Sequence, residues 1–142
     1  MDNLTLEQAN ALIEAAVAKA GELGLKPLTV TIHDPGGHMI ACQRQDGAST
    51  MRARLAAGKA CGALALGVSS RVIGEMALER PHFVASLHAM VDGGIVPAAG
   101  GVIVCNDAGD ILGAIGVTGD TSDNDEACAL AAIGSVDLAP KS

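Results

Sequence analysis

Hydrophobic residues recur with two different periods along this chain of 142 residues. Over residues 4–24 they recur every three or four positions, which predicts an amphipathic helix packed through one face. Thr5 and Gln8 have the spacing of a capping box at its start. Over residues 28–33 apolar residues alternate with two threonines and a histidine, and alternation predicts a strand. The chain is therefore expected to open with a helix that leads into a sheet.

Two β-hairpins are predicted from turn residues that separate apolar runs. Residues 34–37, with the sequence Asp-Pro-Gly-Gly, separate the first strand from a return strand over 38–45. Residues 106–110 separate a strand over 102–105 from another over 111–117. Because hairpin partners run antiparallel, the sheet is expected to be antiparallel.

Small residues dominate the segment between the hairpins. Ser49 or Thr50 is expected to cap a helix over residues 51–67. Glycine costs a helix up to about 1 kcal/mol per position, so Gly58 and Gly62 indicate that another segment packs very close. Ser69 or Ser70 is expected to cap a third helix, which Pro81 ends.

Residues 82–90 are predicted to form a short helix, and Thr121 or Ser122 to cap a final helix over 123–136. The fold class is therefore α+β: one domain over residues 1–142, with a central antiparallel sheet of about five strands flanked by helices.

The amino-acid composition limits the classes of partner that the chain can bind. The chain has one Phe and no Trp or Tyr, which predicts a core of small aliphatic side chains. Its formal net charge is −7. This composition disfavours nucleic acid as a partner, because binding it requires clustered Lys and Arg and, for single strands, stacking aromatics.

Membrane and export signals are not apparent in the sequence. No apolar run approaches the ~20 residues of a membrane span, and the N-terminal residues do not resemble a secretory signal. The four cysteines form no C-x-x-C pair, which gives structural zinc no support. Free thiols are typical of a reducing compartment, so a cytoplasmic protein is expected.

Two histidines bracket the first turn. If that turn closes as a simple hairpin, His33 and His38 lie opposite each other on one face of the sheet. Paired imidazoles bind metals, an iron porphyrin or a carboxylate, and a solvated turn end is the structural alternative. His82 and His88 have a spacing that suits one metal poorly, and each is expected at the surface or the edge of the core.

A second set of candidates is charged. Arg44 and Asp46 end the return strand, and Lys59 lies among Ala and Gly in an otherwise apolar helix. An isolated lysine there either extends to solvent or lies beside an anion. Partial burial would lower its pKa and suit it to act as a base.

A third feature is the run Gly113-Ala-Ile-Gly-Val-Thr-Gly119, which differs from the dinucleotide and P-loop fingerprints. Its glycines indicate either close packing of a helix or subunit, or a pocket wall of backbone groups. The acidic residues 123–126 suit the first turn of a helix, and a hard cation is the alternative.

Taken together, these segments resemble the GlcG/HbpS family, which includes the C-terminal domain of PduO-type proteins. The resemblance rests on the order of several short motifs along nearly the whole chain. They are Asp34 to Gly37, Arg44 to Gly47, Lys59-Ala60, Gly93-Gly94, Pro97, Gly100 to Val102, Gly113 to Gly119, and Asp125-Glu126. The resemblance implies an antiparallel sheet flanked by helices, homo-oligomers, haem binding in some members, and a link to glycolate or propanediol catabolism in others.

Two functions remain open at this point. The first is a binding protein for haem or a related tetrapyrrole, with His33 or His38 as axial ligand. The second is an enzyme for a small unsaturated or 2-oxo carboxylate, acting by tautomerisation, hydration or dehalogenation. In it Arg44 anchors the carboxylate and Lys59 or His38 moves protons. The expected ligand-binding residues are His33, His38, Arg44, Asp46, Gly93, Gly94, Pro97, Gly100, Gly101, Gly116, Thr118 and Gly119.

Overall fold

Five helices and five strands follow one another in the computed structural model, which describes residues 2–141. In chain order they are α1 (Leu6–Leu23), β1 (Thr29–His33), β2 (Met39–Arg44), α2 (Arg52–Leu66), α3 (Ser70–Glu79), α4 (Pro81–His88), β3 (Gly101–Cys105), β4 (Ile111–Thr118), α5 (Ser122–Ser135) and β5 (Ala139–Pro140).

The sheet has the order β2-β1-β4-β3-β5, and every neighbouring pair is antiparallel. The two predicted hairpins are β1–β2 and β3–β4, and β1 and β4 join them at the centre. The α+β class, the strand number and the flanking helices are confirmed. The short edge strand β5 was not located in advance, because two residues carry no alternation.

Helix starts follow the predicted capping chemistry, with one exception. Thr5 and Gln8 form the expected capping box of α1. The Ser69 and Thr121 hydroxyls accept backbone N–H bonds at the starts of α3 and α5. The expected cap of α2 by Ser49 or Thr50 is wrong, since Met51 occupies that position and no side chain caps it.

The two faces of the sheet are covered by different kinds of contact. Helices α1 and α5 bury an apolar layer on one face, with Leu12, Ile13, Val30, Ile115 and Ile133 fully enclosed. Helix α2 covers the other face, where the outward residues of β1 are Thr29, Thr31 and His33. Polar groups are thus buried beneath α2.

Helix α2 approaches the sheet so closely that two strand positions beneath it accommodate only glycine. A Cβ atom at Gly116 would collide with the Ala56 carbonyl, and one at Gly101 would collide with the Lys59 carbonyl. Of the two alternatives for the run 113–119, close packing of a helix is the one found at Gly116. The absence of side chains at these two positions sets the distance between α2 and the sheet.

Among residues 2–141, no single helix has the length and apolarity of a membrane span. The α2–α3 pair meets those limits only when taken together, across a bend of 80°.

Replacing Gly116 tests the close approach of α2. We expect Gly116→Ala to lower the free energy of unfolding by about 1–3 kcal/mol, because the added methyl group forces α2 off the sheet. The control is Gly21→Ala in α1, where a Cβ meets no atom within 4 Å. That change should raise stability by roughly 0.5–1 kcal/mol. Urea unfolding followed by circular dichroism measures both, and equal effects of the two variants would contradict the packing described.

Candidate functional site

A short segment between α4 and β3 lies across the helices on the outer side of the molecule. We call residues 93–97 the strap. Helical glycines make room for it: a Cβ at Gly58 would come within 2.6 Å of Val96 Cγ2, and one at Gly62 within 3.2 Å of Ile95 Cγ2. The Val96 N–H also donates to the Gly58 carbonyl at 3.2 Å. The close-packed segment predicted from Gly58 and Gly62 is therefore the strap.

The strap fixes the orientation of His88, the last residue of α4. The Ile95 N–H donates to His88 Nδ1 at 3.0 Å, and the Ile95 carbonyl oxygen lies 3.0 Å from the same nitrogen. Gly94 has a positive φ of 80°, and a Cβ there would come within 2.6 Å of the His88 ring. Glycine is therefore required at position 94 on two grounds, backbone conformation and the space taken by the imidazole.

His88 borders two cavities. The first, which we call the strap cavity, has a volume of about 490 Å³. Its lining comes from the start of α2, the end of α4 and the strap: Met51, Arg54, Leu55, Ala57, His88, Gly93, Gly94 and Val96. The second, of about 370 Å³, lies between α3, α4 and the strap and includes Pro97. An imidazole held by its Nδ1 at the edge of an aliphatic cavity is the main chemical feature of this region.

The predicted pairing of His33 with His38 is wrong. The β1–β2 register shifts between Ile32 and His33, so His33 lies opposite Met39. His33 is 2% exposed and lies beneath α2. The His38 side chain is 83% exposed and interacts with Asp34 at 3.2 Å. One extra residue in β2, Ile40, is enough to place the two imidazoles in different surroundings.

Inside the protein, His33 lies beside a thiol. Its Nδ1 is 3.1 Å from the Gly37 carbonyl oxygen and 3.7 Å from Cys61 Sγ. Its Nε2 is buried and has no hydrogen-bond partner among the described residues. Burial lowers the pKa of His33, against the opposing effects of the Gly37 carbonyl and the Asp34 carboxylate. His33 is therefore a neutral interior histidine at pH 7.

Lys59 lies beside an anion, the second of the two alternatives for this residue. It is 4% exposed, and its Nζ donates to Asp125 Oδ2 at 3.1 Å and to the Val117 carbonyl at 3.0 Å. Burial lowers the pKa of Lys59, while the Asp125 carboxylate raises it. The pair ties α2 to the start of α5 in the interior.

Arg44 and Asp46 lie elsewhere. They line an open groove of about 450 Å³ beside the end of α1 and the segment that follows it. Neither Lys59 nor His38 lines that groove. The residues that the enzyme hypothesis assigned to catalysis are therefore not brought together.

The remaining predicted site residues divide into two groups. Gly93, Gly94 and Pro97 belong to the strap and line the cavities beside His88. The others are packing or anchoring positions. Gly100, Gly101, Gly116 and Gly119 allow backbone contacts in the interior, and Thr118 Oγ1 accepts a hydrogen bond of 2.9 Å from Arg52.

The sequence predicts His88 at the surface or the edge of the core. It does not assign His88, Met51 or Arg54 to a site. The available signal was that His88 shortly precedes the Gly93-Gly94 pair. Nothing in the sequence indicated that the strap returns over α2, which is what brings these residues together.

The acidic residues Asp123, Asp125 and Glu126 pair with cations of the protein itself. Asp125 meets Lys59, and Asp123 and Glu126 both bind Arg71. Within residues 2–141, no cluster of three or more His, Cys, Asp or Glu side chains is arranged to hold a metal ion.

The chain is similar to a known protein family and to several solved structures. The family model described as "Haem degrading protein HbpS-like" matches residues 4–134. A comparison with curated protein sequences finds no match.

Several solved structures with the same fold align with nearly the whole chain. PduOC, in a complex with haem, aligns with a TM-score of 0.86 at 24% identity over 99% of both chains. The protein ORFY of Klebsiella pneumoniae aligns with a TM-score of 0.83 at 25% identity, over 94% of this chain and 90% of its own. A double mutant of HbpS from Streptomyces reticuli aligns with a TM-score of 0.81 at 27% identity, over 96% of this chain and 88% of its own.

The burial of His33 predicts a specific pH dependence of stability. The unfolded chain binds a proton at His33 near pH 6.5, whereas the folded protein binds it only at lower pH. The stabilising effect of neutral His33 is therefore complete above pH 6.5 and is lost as the pH falls below it, by up to about 1.4 kcal/mol per pH unit. His33→Leu should show a shallower loss between about pH 6.5 and pH 5 in urea unfolding. Parallel curves for the two proteins over that range would contradict this assignment.

Proposed function

This chain belongs to the HbpS-like family of haem-degrading proteins, and we propose that it binds haem or a related tetrapyrrole in the strap cavity. The observation that carries the proposal is the His88 imidazole, held by its Nδ1 at the edge of that cavity. The complex of PduOC with haem supports the same class of ligand on this fold.

The strap cavity suits a large, mostly apolar ligand. Its volume of about 490 Å³ lies within the range of roughly 300–1,000 Å³ that is usual for small-molecule and cofactor sites. The walls are formed by Leu55, Ala57 and Val96, and Met51 contributes an adaptable thioether. The chain has almost no aromatic residues, so these aliphatic side chains supply the contact surface that aromatic rings supply in many cofactor sites.

The strap controls which nitrogen of His88 is available. When Nδ1 is unprotonated, it accepts the Ile95 N–H; when Nδ1 carries the hydrogen, it donates to the Ile95 carbonyl instead and leaves the Nε2 lone pair free. A backbone carbonyl that binds the far nitrogen of a ligating histidine fixes the ring and raises its basicity. Ile95 therefore acts as a positioning residue for His88.

Bound haem would supply an iron centre whose chemistry depends on its axial ligand. The tasks of the protein are then to present His88, to enclose the ring with Leu55 and Val96, and to limit the access of water. Storage, sensing and degradation of the ligand all begin with this binding step.

A haem titration tests the site. The Soret band of ferric haem reports binding, because its position depends on the ligand of the iron. We expect ferric haem to shift its Soret maximum with the wild-type protein, and His88→Ala to weaken binding at least about tenfold. His82→Ala, in the same helix, is the matched control and should bind like the wild type. Added imidazole should restore the wild-type Soret position to His88→Ala.

Two outcomes would overturn the proposal. In the first, the wild-type protein causes no Soret shift. In the second, His88→Ala binds haem with unchanged affinity and spectrum.

We also infer that copies of the chain associate into a homo-oligomer, as the family resemblance implies. Large apolar side chains of α3, α4 and the turn after α4 are exposed, with Leu78 at 87%, Met90 at 76% and Phe83 at 41%. A second copy that covered them would remove an apolar surface from water. Sedimentation equilibrium should give a multiple of the 14.1 kDa chain mass, and Leu78→Glu should lower it. A monomer at all concentrations would contradict the inference.

A further inference from the structure

One arginine at the strap cavity has no side-chain partner among residues 2–141. Arg54 lines the cavity together with His88. It is exposed, and it makes no ion pair or hydrogen bond with its side chain among residues 2–141. Its guanidinium group is therefore free to bind a ligand in the cavity.

Other arginines of the chain are occupied or lie elsewhere. Arg52 donates to Thr118 Oγ1 at 2.9 Å, and Arg71 binds Asp123 and Glu126. The Arg80 guanidinium lies over the Phe83 ring at 4.0 Å. Arg44 lines the groove beside α1. Of the arginines, Arg54 alone combines a place in the strap cavity with an unpaired guanidinium among the described residues.

The charge of the cavity lining contrasts with that of the whole chain. The protein has a net charge of −7, which disfavours the approach of anions in general. The strap cavity nevertheless has a cationic lining residue and no acidic one. Asp92 precedes Gly93 in sequence but lines a different cavity, beside Cys61. An apolar cavity with one free guanidinium suits an apolar molecule that carries a carboxylate.

We propose that Arg54 recognises a side-chain carboxylate of the tetrapyrrole and so selects ligands with free acid groups over their esters. This inference rests on the proposed function, since it assigns a specificity-determining residue to the same cavity. The planar guanidinium binds both oxygens of a carboxylate at once, which an uncharged ester cannot match. Arg54 thereby fixes which edge of the ligand faces the start of α2.

The experiment compares two ligands and three variants. Ferric haem and its dimethyl ester are titrated into the wild-type protein, Arg54→Gln, Arg54→Lys and the control Arg44→Gln. Arg54→Gln and Arg44→Gln change the net charge equally, so any difference between them is local. We expect Arg54→Gln to weaken haem binding roughly fivefold to tenfold and to leave ester binding unchanged. Arg54→Lys should be intermediate, because it keeps the charge and loses the two-pronged contact.

Salt provides a second readout. The preference of the wild-type protein for haem over the ester should shrink as ionic strength rises, because screening weakens an exposed ion pair. Arg54→Gln should show no such dependence.

The outcomes separate this inference from the proposed function. If haem binds through His88 but Arg54→Gln binds it as tightly as Arg44→Gln does, the role of Arg54 is wrong and the binding site stands. If the wild-type protein fails to bind haem, or if His88→Ala binds it normally, the proposed function itself is wrong.

Discussion

The close seating of helix α2 on the sheet is the constraint on which the rest of the structure depends. Gly101 and Gly116 bring the backbone of α2 against the strands, where a single methyl group would collide with a carbonyl. At that distance Lys59 reaches Asp125 and ties α2 to α5. Removing one partner of a buried ion pair destabilises the protein, because the removal leaves an uncompensated charge in the interior. Loss of either Lys59 or Asp125 is therefore expected to weaken the contact between α2 and α5.

The same helix determines the candidate site on its opposite side. Gly58 and Gly62 let the strap lie directly on α2, and the strap in turn holds His88 through Ile95. The site is thus built outward from the sheet in four layers: strand, helix, strap and imidazole. Each layer is positioned by the one beneath it, and small residues at every contact keep the layers close. An abundance of glycine and a scarcity of aromatic side chains are two consequences of the same architecture.

Much of the fold follows from local patterns, because helix caps, alternating strands and hairpin turns are encoded by residues near one another. The capping box at Thr5 and the two hairpins are examples. The candidate site could be predicted from local patterns less well than the fold. The predicted pairing of His33 with His38 is wrong because a register shift beside the turn separates the two residues. The sequence of the turn does not reveal this shift. Lys59 was recognised as unusual, but its partner Asp125 is distant in sequence. His88 was missed because its surroundings come from the strap and α2, which meet only in the folded chain.

The central claim is that His88, oriented by the strap, is the group that receives the tetrapyrrole. A crystal structure of the haem-loaded protein tests it most directly. We predict electron density for the iron at coordination distance from His88 Nε2, with His88 Nδ1 within hydrogen-bond distance of the Ile95 carbonyl and the ring between Leu55 and Val96. Haem bound at the β1–β2 turn beside His38, or in the groove lined by Arg44, would contradict the account.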